Sequence, residues 1–393
     1  MSPAGPPIKI DTNWFGHNEL SREVYGVFGI PIDVVDMATA LSKIESAAVD
    51  RAPLLISTVN LNFLVTSQLD QEFRRSLLLS DLCTADGMPV VWLARLLGLP
   101  IRERVAGSDI FEKLLSTANP ARRLKVFLFG GAEGAAAAAC NKLNSESSGV
   151  TCVGSFYPGF TTVAEMSDAA IIDRVNASNA DFLVAALGAK KGQAWLLQNH
   201  DRIQIPARAH FGAAINFQAG TIKRAPTGMQ RWGFEWLWRI KEEPALWRRY
   251  ASDGLALLRL LGRALAAARG SAPASGEDVP ATLQVERRGG LALLHLGGDW
   301  TCEAAPRLAA EAARALRAGA SVQVDASAAT DLDGRVVALL MLIDGWQAGG
   351  PRVLWPAPLQ PAVCAALRRC GAEYLNEASV SRSHSGEERH AAH

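Results

Sequence analysis

A chain of 393 residues is long for one compact domain, so two domains are expected. Forty basic against thirty-nine acidic residues leave a net charge of +1, which gives no global field for nucleic acid, and no nucleic-acid partner is expected. Six cysteines (Cys83, Cys140, Cys152, Cys302, Cys364 and Cys370) lie without CxxC or Cys/His spacing. That spacing argues against a zinc cage or a disulfide framework, and reduced cytoplasmic thiols are the expectation.

The opening "MSPAGPPIKIDTNW" has no charged leader before an apolar run, and no stretch approaches eighteen uncharged apolar residues. Neither a secretory signal nor a spanning helix is expected. Residues 1–23 read as an N-terminal extension. From residue 51, short apolar runs alternate with helical stretches: "PLLISTVN" reads as a strand, "FLVTSQLDQEFRRSLLLS" as one helix and "LKVFLFGG" as a second strand. "GVTCVGSF", "ADFLVAALG" and "ARAHFGAAI" continue the alternation, which predicts a largely parallel sheet with helices on both faces. In "FLFGGAEGAAAAAC" a glycine turn joins a strand to an alanine-rich helix, with Gly130, Gly131 and Gly134 spaced GGxxG rather than GxGxxG. Tight strand-to-helix packing accounts for Gly130 and Gly131 first, and contact with a nucleotide diphosphate second.

Between residues 222 and 269 ten Lys or Arg face four Asp or Glu, with Trp232, Trp236, Trp238 and Trp247 among them. This basic, aromatic appendage precedes "GSAPASGEDVP", a linker composition that places a domain boundary at residues 270–280. Beyond it, two strands turn at Arg288-Gly289-Gly290, and "CEAAPRLAAEAARALRAG", "SVQVDAS" and "GRVVALLMLIDGWQAGG" read as helix, strand and helix. Residues 281–378 suffice for a small α/β domain, and 379–393 read as a disordered tail.

No Ser-His-Asp or Cys-His constellation stands out, and His210 reads as a hydrogen-bonded core residue. In open parallel sheets ligands bind beyond the carboxyl ends of strands, so polar residues at strand ends lead the candidates. Ser57, Thr58 and Asn60 close "STVN", and Asp86 and Arg104 follow. They offer a base, a cation for a phosphate and neutral hydrogen-bonding groups for a sugar.

The ordered blocks "STVNLNFL", "TADGMPVVWLARLLG", "RERVAGSDIF", "VFLFGG", "AALGAKKGQAWL", "HFGAAINFQAGTIKRAP" and "GFEWLWRIKEEP…RRY" closely resemble the WecG/TagA/CpsF glycosyltransferase family over residues 24–252. The resemblance implies a Rossmann-like glycosyltransferase domain over residues 24–221, followed by the appendage at 222–269. It implies an inverting hexosyltransferase that needs no catalytic metal or other cofactor. The implied donor is a UDP-sugar carrying a hexose or N-acetylhexosamine such as N-acetylmannosamine. The acceptor is a polyprenyl-diphosphate-linked saccharide of surface polysaccharide synthesis, handled at the inner face of the cytoplasmic membrane by a peripheral protein.

Carried over by position, Asp86 is the general base, with Thr58 and Asn60 positioning the sugar or the catalytic groups and Arg104 facing the diphosphate. Lys191, Gln193, Asn216, Arg239 and Arg249 complete the implied substrate contacts. The chain departs from the family where "GAKKGQAW" stands for G-x-P-K-Q-E-x-W: Lys190 replaces Pro, Gly192 replaces Gln and Gln193 replaces Glu. Asn216 stands where many relatives carry Asp, and Leu246 where a basic residue is frequent. The appendage tryptophans are open to two readings, a membrane-facing belt or a helical core or subunit interface of a homo-oligomer.

More distantly, "SVQVDASAATDLDGRVVALLMLI" resembles the STAS fold of anti-sigma-factor antagonists, implying a module that docks a protein partner. Asp333 is followed by Gly334 and Arg335 rather than a phosphorylatable Ser, and loop capping accounts for Ser327 and Thr330. Two rival readings stay open. One is a weakened transferase that binds a UDP-sugar or lipid intermediate and signals through the STAS-like domain, and the other is a dinucleotide oxidoreductase resting on "FGGAEGA" alone.

Overall fold

The computed structural model describes residues 19–117, 123–226, 228–229, 234–270, 279–346 and 358–376. Most of the expected N-terminal extension, nearly all of the linker, the expected tail and Trp232 lie outside the described residues. The chain divides into two compact units, Asp33–Ala256 and a second made of Met1–Ile32 with Leu257–His393.

The first unit is an α/β layer structure. Its elements in chain order are α1 (Met37–Asp50), β3 (Leu54–Val59), α2 (Leu61–Leu69), α3 (Gln71–Leu78), β4 (Leu82–Ala85), α4 (Met88–Leu96), α5 (Gly107–Ser116), β5 (Leu124–Gly130) and α6 (Ala135–Glu146). There follow β6 (Val150–Phe156), α7 (Val163–Met166), α8 (Ala169–Ala177), β7 (Phe182–Ala186), α9 (Ala189–Gln198), β8 (Ala207–His210), α10 (Ala214–Ala219), α11 (Glu235–Glu242) and α12 (Trp247–Gly270), whose residues from Leu257 on are counted with the second unit. The six strands form one sheet in the order β4-β3-β8-β7-β5-β6, parallel at every pairing. This is the Rossmann-like architecture that strand-and-helix alternation predicts. On one face Ile56, Leu82, Val126, Leu128, Val184 and Ala209 meet Ile44, Phe111, Leu143 and Ile215 from the helices. On the other face Trp195 of α9 stacks on Phe129 with ring centroids 4.1 Å apart.

Three local features differ from the sequence reading. The single helix expected over "FLVTSQLDQEFRRSLLLS" is two, because Asp70 leaves helical geometry and its side chain accepts the Phe73 N–H at 3.0 Å, capping α3. The four-residue strand β4 had no periodic signal of its own. Cys140 and Cys152, expected as free thiols, form a disulfide. Helix α6 packs back on β6 and places their Cα atoms 5.3 Å apart, which a spacing of 12 in the sequence does not announce. Asn144 reinforces the join, accepting the Cys152 N–H at 2.8 Å and donating to its carbonyl at 3.0 Å.

In the second unit β9 (Thr282–Arg288) and β10 (Leu291–Trp300) pair antiparallel, and β10 pairs parallel with β11 (Ser321–Leu332). The turn falls at Gly289 and Gly290, both with positive φ. Along β10 every second residue is buried, as expected for a strand with one face in the core. Helices α13 (Ala305–Arg317), α14 (Gly334–Trp346) and α15 (Pro361–Cys370) accompany the sheet. Ser327 Oγ donates to Asp325 at 2.6 Å, and Thr330 Oγ1 donates to Asp299. The hairpin of β1 (Val24–Val27) and β2 (Ile30–Asp33) goes largely with this unit, whereas the sequence reading began the first domain at residue 24. Its Gly29 N–H donates to the Cys370 carbonyl at 2.6 Å, and a Cβ on Gly26 would lie 2.9 Å from Met341.

Candidate active site

The carboxyl ends of the central strands place the candidates. Thr58, next to last in β3, lies beside Thr84 of β4, and the Asp86 N–H donates to the Val59 carbonyl at 2.8 Å, so Asp86 leaves the sheet one step beyond both strands. Gly87 then turns the chain into α4 at φ 104°, a conformation that a side chain would strain. The next segment is fixed to the same edge: the Val105 N–H donates to the Ala85 carbonyl at 2.9 Å, and Thr84 Oγ1 donates to the Val105 carbonyl at 2.7 Å. Gly107 follows at the start of α5, where a Cβ would stand 2.5 Å from the Phe211 ring. The Gly107 N–H hydrogen-bonds the Asp86 carboxylate.

Burial pushes the Asp86 carboxyl up to about 6; Arg104 opposes the shift, Glu235 adds to it, and hydrogen bonds from Thr58 and the Gly107 N–H hold the ionised form. The residue is not sealed, since part of its surface stays exposed. A carboxylate so poised, rigid and reachable has the properties of a general base near neutral pH.

Arg104 bonds Glu235 at 3.3 Å through Nη1 and Asp109 through Nη2. Arg224 shares Asp109 and also bonds Glu112. Glu235, Asp109 and Arg224 were not among the sequence candidates, although each lies in one of the ordered blocks quoted above.

Asn60 stands next to this group, with its side-chain oxygen committed to capping α2 through the Phe63 N–H at 3.1 Å. A second group gathers at β5 and α10. Gly130 and Gly131 have positive φ, and a Cβ on Gly130 would meet the Ala186 carbonyl at 2.5 Å, so close strand packing requires glycine there. Asn216 Oδ1 lies buried without a hydrogen-bond partner among the described residues, 3.5 Å from where a Gly131 Cβ would stand. Arg239 lies over the neighbouring Phe217 ring at 5.7 Å and pairs with Glu243 at 3.2 Å.

The altered block is largely used internally. Lys190 pairs with Asp70 at 2.7 Å, Lys191 Nζ donates to the Thr161 carbonyl at 2.9 Å, and buried Gln193 donates to Ser57 Oγ at 2.8 Å. Gly192 faces His210, whose Cδ2 would stand 2.1 Å from an added Cβ. Among the described residues no partner bonds His210 Nε2, where a hydrogen bond was one expectation, and burial lowers its imidazole to about 4, so it is neutral. Arg249 lies over Tyr250 at 5.1 Å and its charge acts on Asp253, whose carboxylate accepts a hydrogen bond from Asn62 at 3.1 Å.

Helices α4, α5, α6 and α9 all start at this edge of the sheet without a side-chain cap. By contrast Asp36, Asp70, Thr162 and Asp168 cap α1, α3, α7 and α8. Uncapped N–H groups at a helix start are ready donors for an anion.

Residues 25–271 match the model of the Glycosyl transferase WecG/TagA/CpsF family. The chain belongs to that family. Among its relatives are two N-acetylglucosaminyldiphosphoundecaprenol N-acetyl-beta-D-mannosaminyltransferases, one from Bacillus spizizenii strain W23 and one from Bacillus subtilis strain 168. The first is 26% identical over 224 residues, covering 56% of this chain and 85% of the relative. The second is 26% identical over 233 residues, covering 58% and 86%. The six-stranded sheet with Asp86 at its edge thus belongs to a glycosyltransferase, and among the described residues no helix is long and apolar enough to cross a membrane.

Proposed function

We propose that this glycosyltransferase moves a hexose or N-acetylhexosamine, such as N-acetylmannosamine, from a UDP-sugar to a polyprenyl-diphosphate-linked saccharide, with inversion and without a catalytic metal. The observation that carries the reading is Asp86, a carboxyl raised to about 6 and held by Thr58 and Gly107 beside Arg104. In the proposed step Asp86 takes the proton of an acceptor hydroxyl, that oxygen bonds the anomeric carbon from the face opposite UDP, and the bond to the diphosphate breaks. Arg104 and Arg224, with the uncapped helix starts, offer the leaving diphosphate positive charge and N–H donors. The relatives' names supply the acceptor and donor classes: a lipid-linked diphosphate sugar and an N-acetylmannosaminyl group.

Peripheral attachment to the inner membrane face is part of the proposal. Phe234, Trp236, Leu237 and Trp247 are exposed, with Lys241, Arg248 and Arg249 close in sequence, the combination that favours headgroups and anionic lipid. The mixed sheet and helices of residues 281–376 support a STAS-like docking module for a protein partner. A second reading, a UDP-sugar binder with weakened transfer, is favoured by one observation: Lys191 and Gln193 spend their donors inside the protein.

Radiolabel transfer from a panel of UDP-sugars to short-chain polyprenyl-diphosphate saccharides tests both. Labelled lipid with an inverted linkage is expected. UDP-sugar binding without transfer to any acceptor would favour the second reading.

A further inference from the structure

Arg104 serves two carboxylates that come from different parts of the first unit. Asp109 stands on α5 and is held a second time by Arg224. Glu235 stands on the appendage helix α11, and among the described residues its ion pair is with Arg104 alone. The pair is largely shielded, with the Arg104 side chain 15% and the Glu235 side chain 24% exposed. A guanidinium already neutralised by two carboxylates has little charge to offer a third anion, so an arriving diphosphate gains Arg104 only by displacing one of them. Asp109, doubly held, is the harder to move, and Glu235 is the exchangeable partner.

We propose that Glu235 occupies the phosphate seat on Arg104 in the free enzyme and that the donor's diphosphate displaces it. Donor binding then releases α11 from Arg104. The inference rests on the glycosyltransferase reading above, in which Arg104 faces the diphosphate. It also has an electrostatic consequence at the base. The charged groups around Asp86 are Arg104 and Arg224 on one side of the balance and Glu235 on the other, with Thr58 and the Gly107 N–H as hydrogen-bond donors. In the free enzyme a neutral residue at 235 removes a carboxylate that raises Asp86, while Asp109 stays paired with Arg104 and Arg224, and this favours the ionised form of Asp86; in the bound enzyme the diphosphate brings its own negative charge to that place.

Calorimetric titration of the full chain with UDP and, separately, with inorganic pyrophosphate tests the proposal, using wild type, Glu235→Gln and Glu235→Asp. Neutralising a shielded competitor should tighten binding of both probes about three- to tenfold in Glu235→Gln. Glu235→Asp keeps the competing charge and should stay near wild type. The acid limb of kcat/KM should also move to lower pH in Glu235→Gln, a change that simple loss of packing would not produce. Equal or weaker pyrophosphate binding by Glu235→Gln overturns the proposal. Tighter pyrophosphate binding with no UDP binding by any of the three chains would uphold the seat and instead overturn the nucleotide donor.

Discussion

Ionised Asp86 exchanges water for two hydrogen bonds and the field of neighbouring guanidiniums, and burial still leaves its carboxyl at about 6 against an ordinary 3.8. Between those values the folded chain holds a proton that the unfolded chain has released. Stability therefore falls as pH rises through that window, by on the order of 2–3 kcal/mol in all, and the full cost stands above about 6. Asp86→Asn removes the charge and keeps the shape, so it should melt at a higher temperature than wild type at pH 7.5 while losing transfer. An unchanged or lower melting temperature would contradict the burial argument. At this scale Asp86, Thr58 and Arg104 were legible in the sequence because ordered blocks fix their positions. Glu235 and Arg224 as partners were not, since they reach Arg104 and Asp109 across 131 and 115 positions, and such pairings leave no periodic trace.

At the scale of elements, long periodic segments announced themselves and short or interrupted ones did not. Strand β4 is four residues between a helix and a turn, and the break at Asp70 is a capping event that apolar spacing does not show. The register of α9 against β8 was likewise hidden, and it sets Gly192 against the His210 ring. A Cβ there would overlap the His210 ring, and overpacking of this kind costs roughly 1–3 kcal/mol. Gly192→Ala should lower stability by about that much in chemical denaturation, and the same substitution should cost clearly less in a His210→Ala background. Additive losses in the double variant would show that the two side chains are not in contact.

The whole molecule is assembled against chain order. The alternation of strands and helices announced the parallel sheet, and linker composition announced a boundary, but neither could show that the hairpin before Ile32 belongs with residues after 257. The reason is tertiary: the hairpin bonds the end of α15 and fits against Met341 of α14. A chain ending at residue 270 should therefore uncover buried Val24, Val27, Phe28 and Ile30 and elute as aggregates, whereas monodisperse behaviour would show the hairpin to be independent. Above all, Asp86 is proposed as the base of sugar transfer in this family fold. The most direct test of that role is the pH dependence of kcat/KM for transfer from a UDP-sugar to a lipid-linked acceptor, wild type beside Asp86→Asn. The wild type should show an acid limb near pH 6, and the variant should lose about a hundred- to ten-thousand-fold. Undiminished turnover in Asp86→Asn, with the acid limb unchanged, would contradict that role.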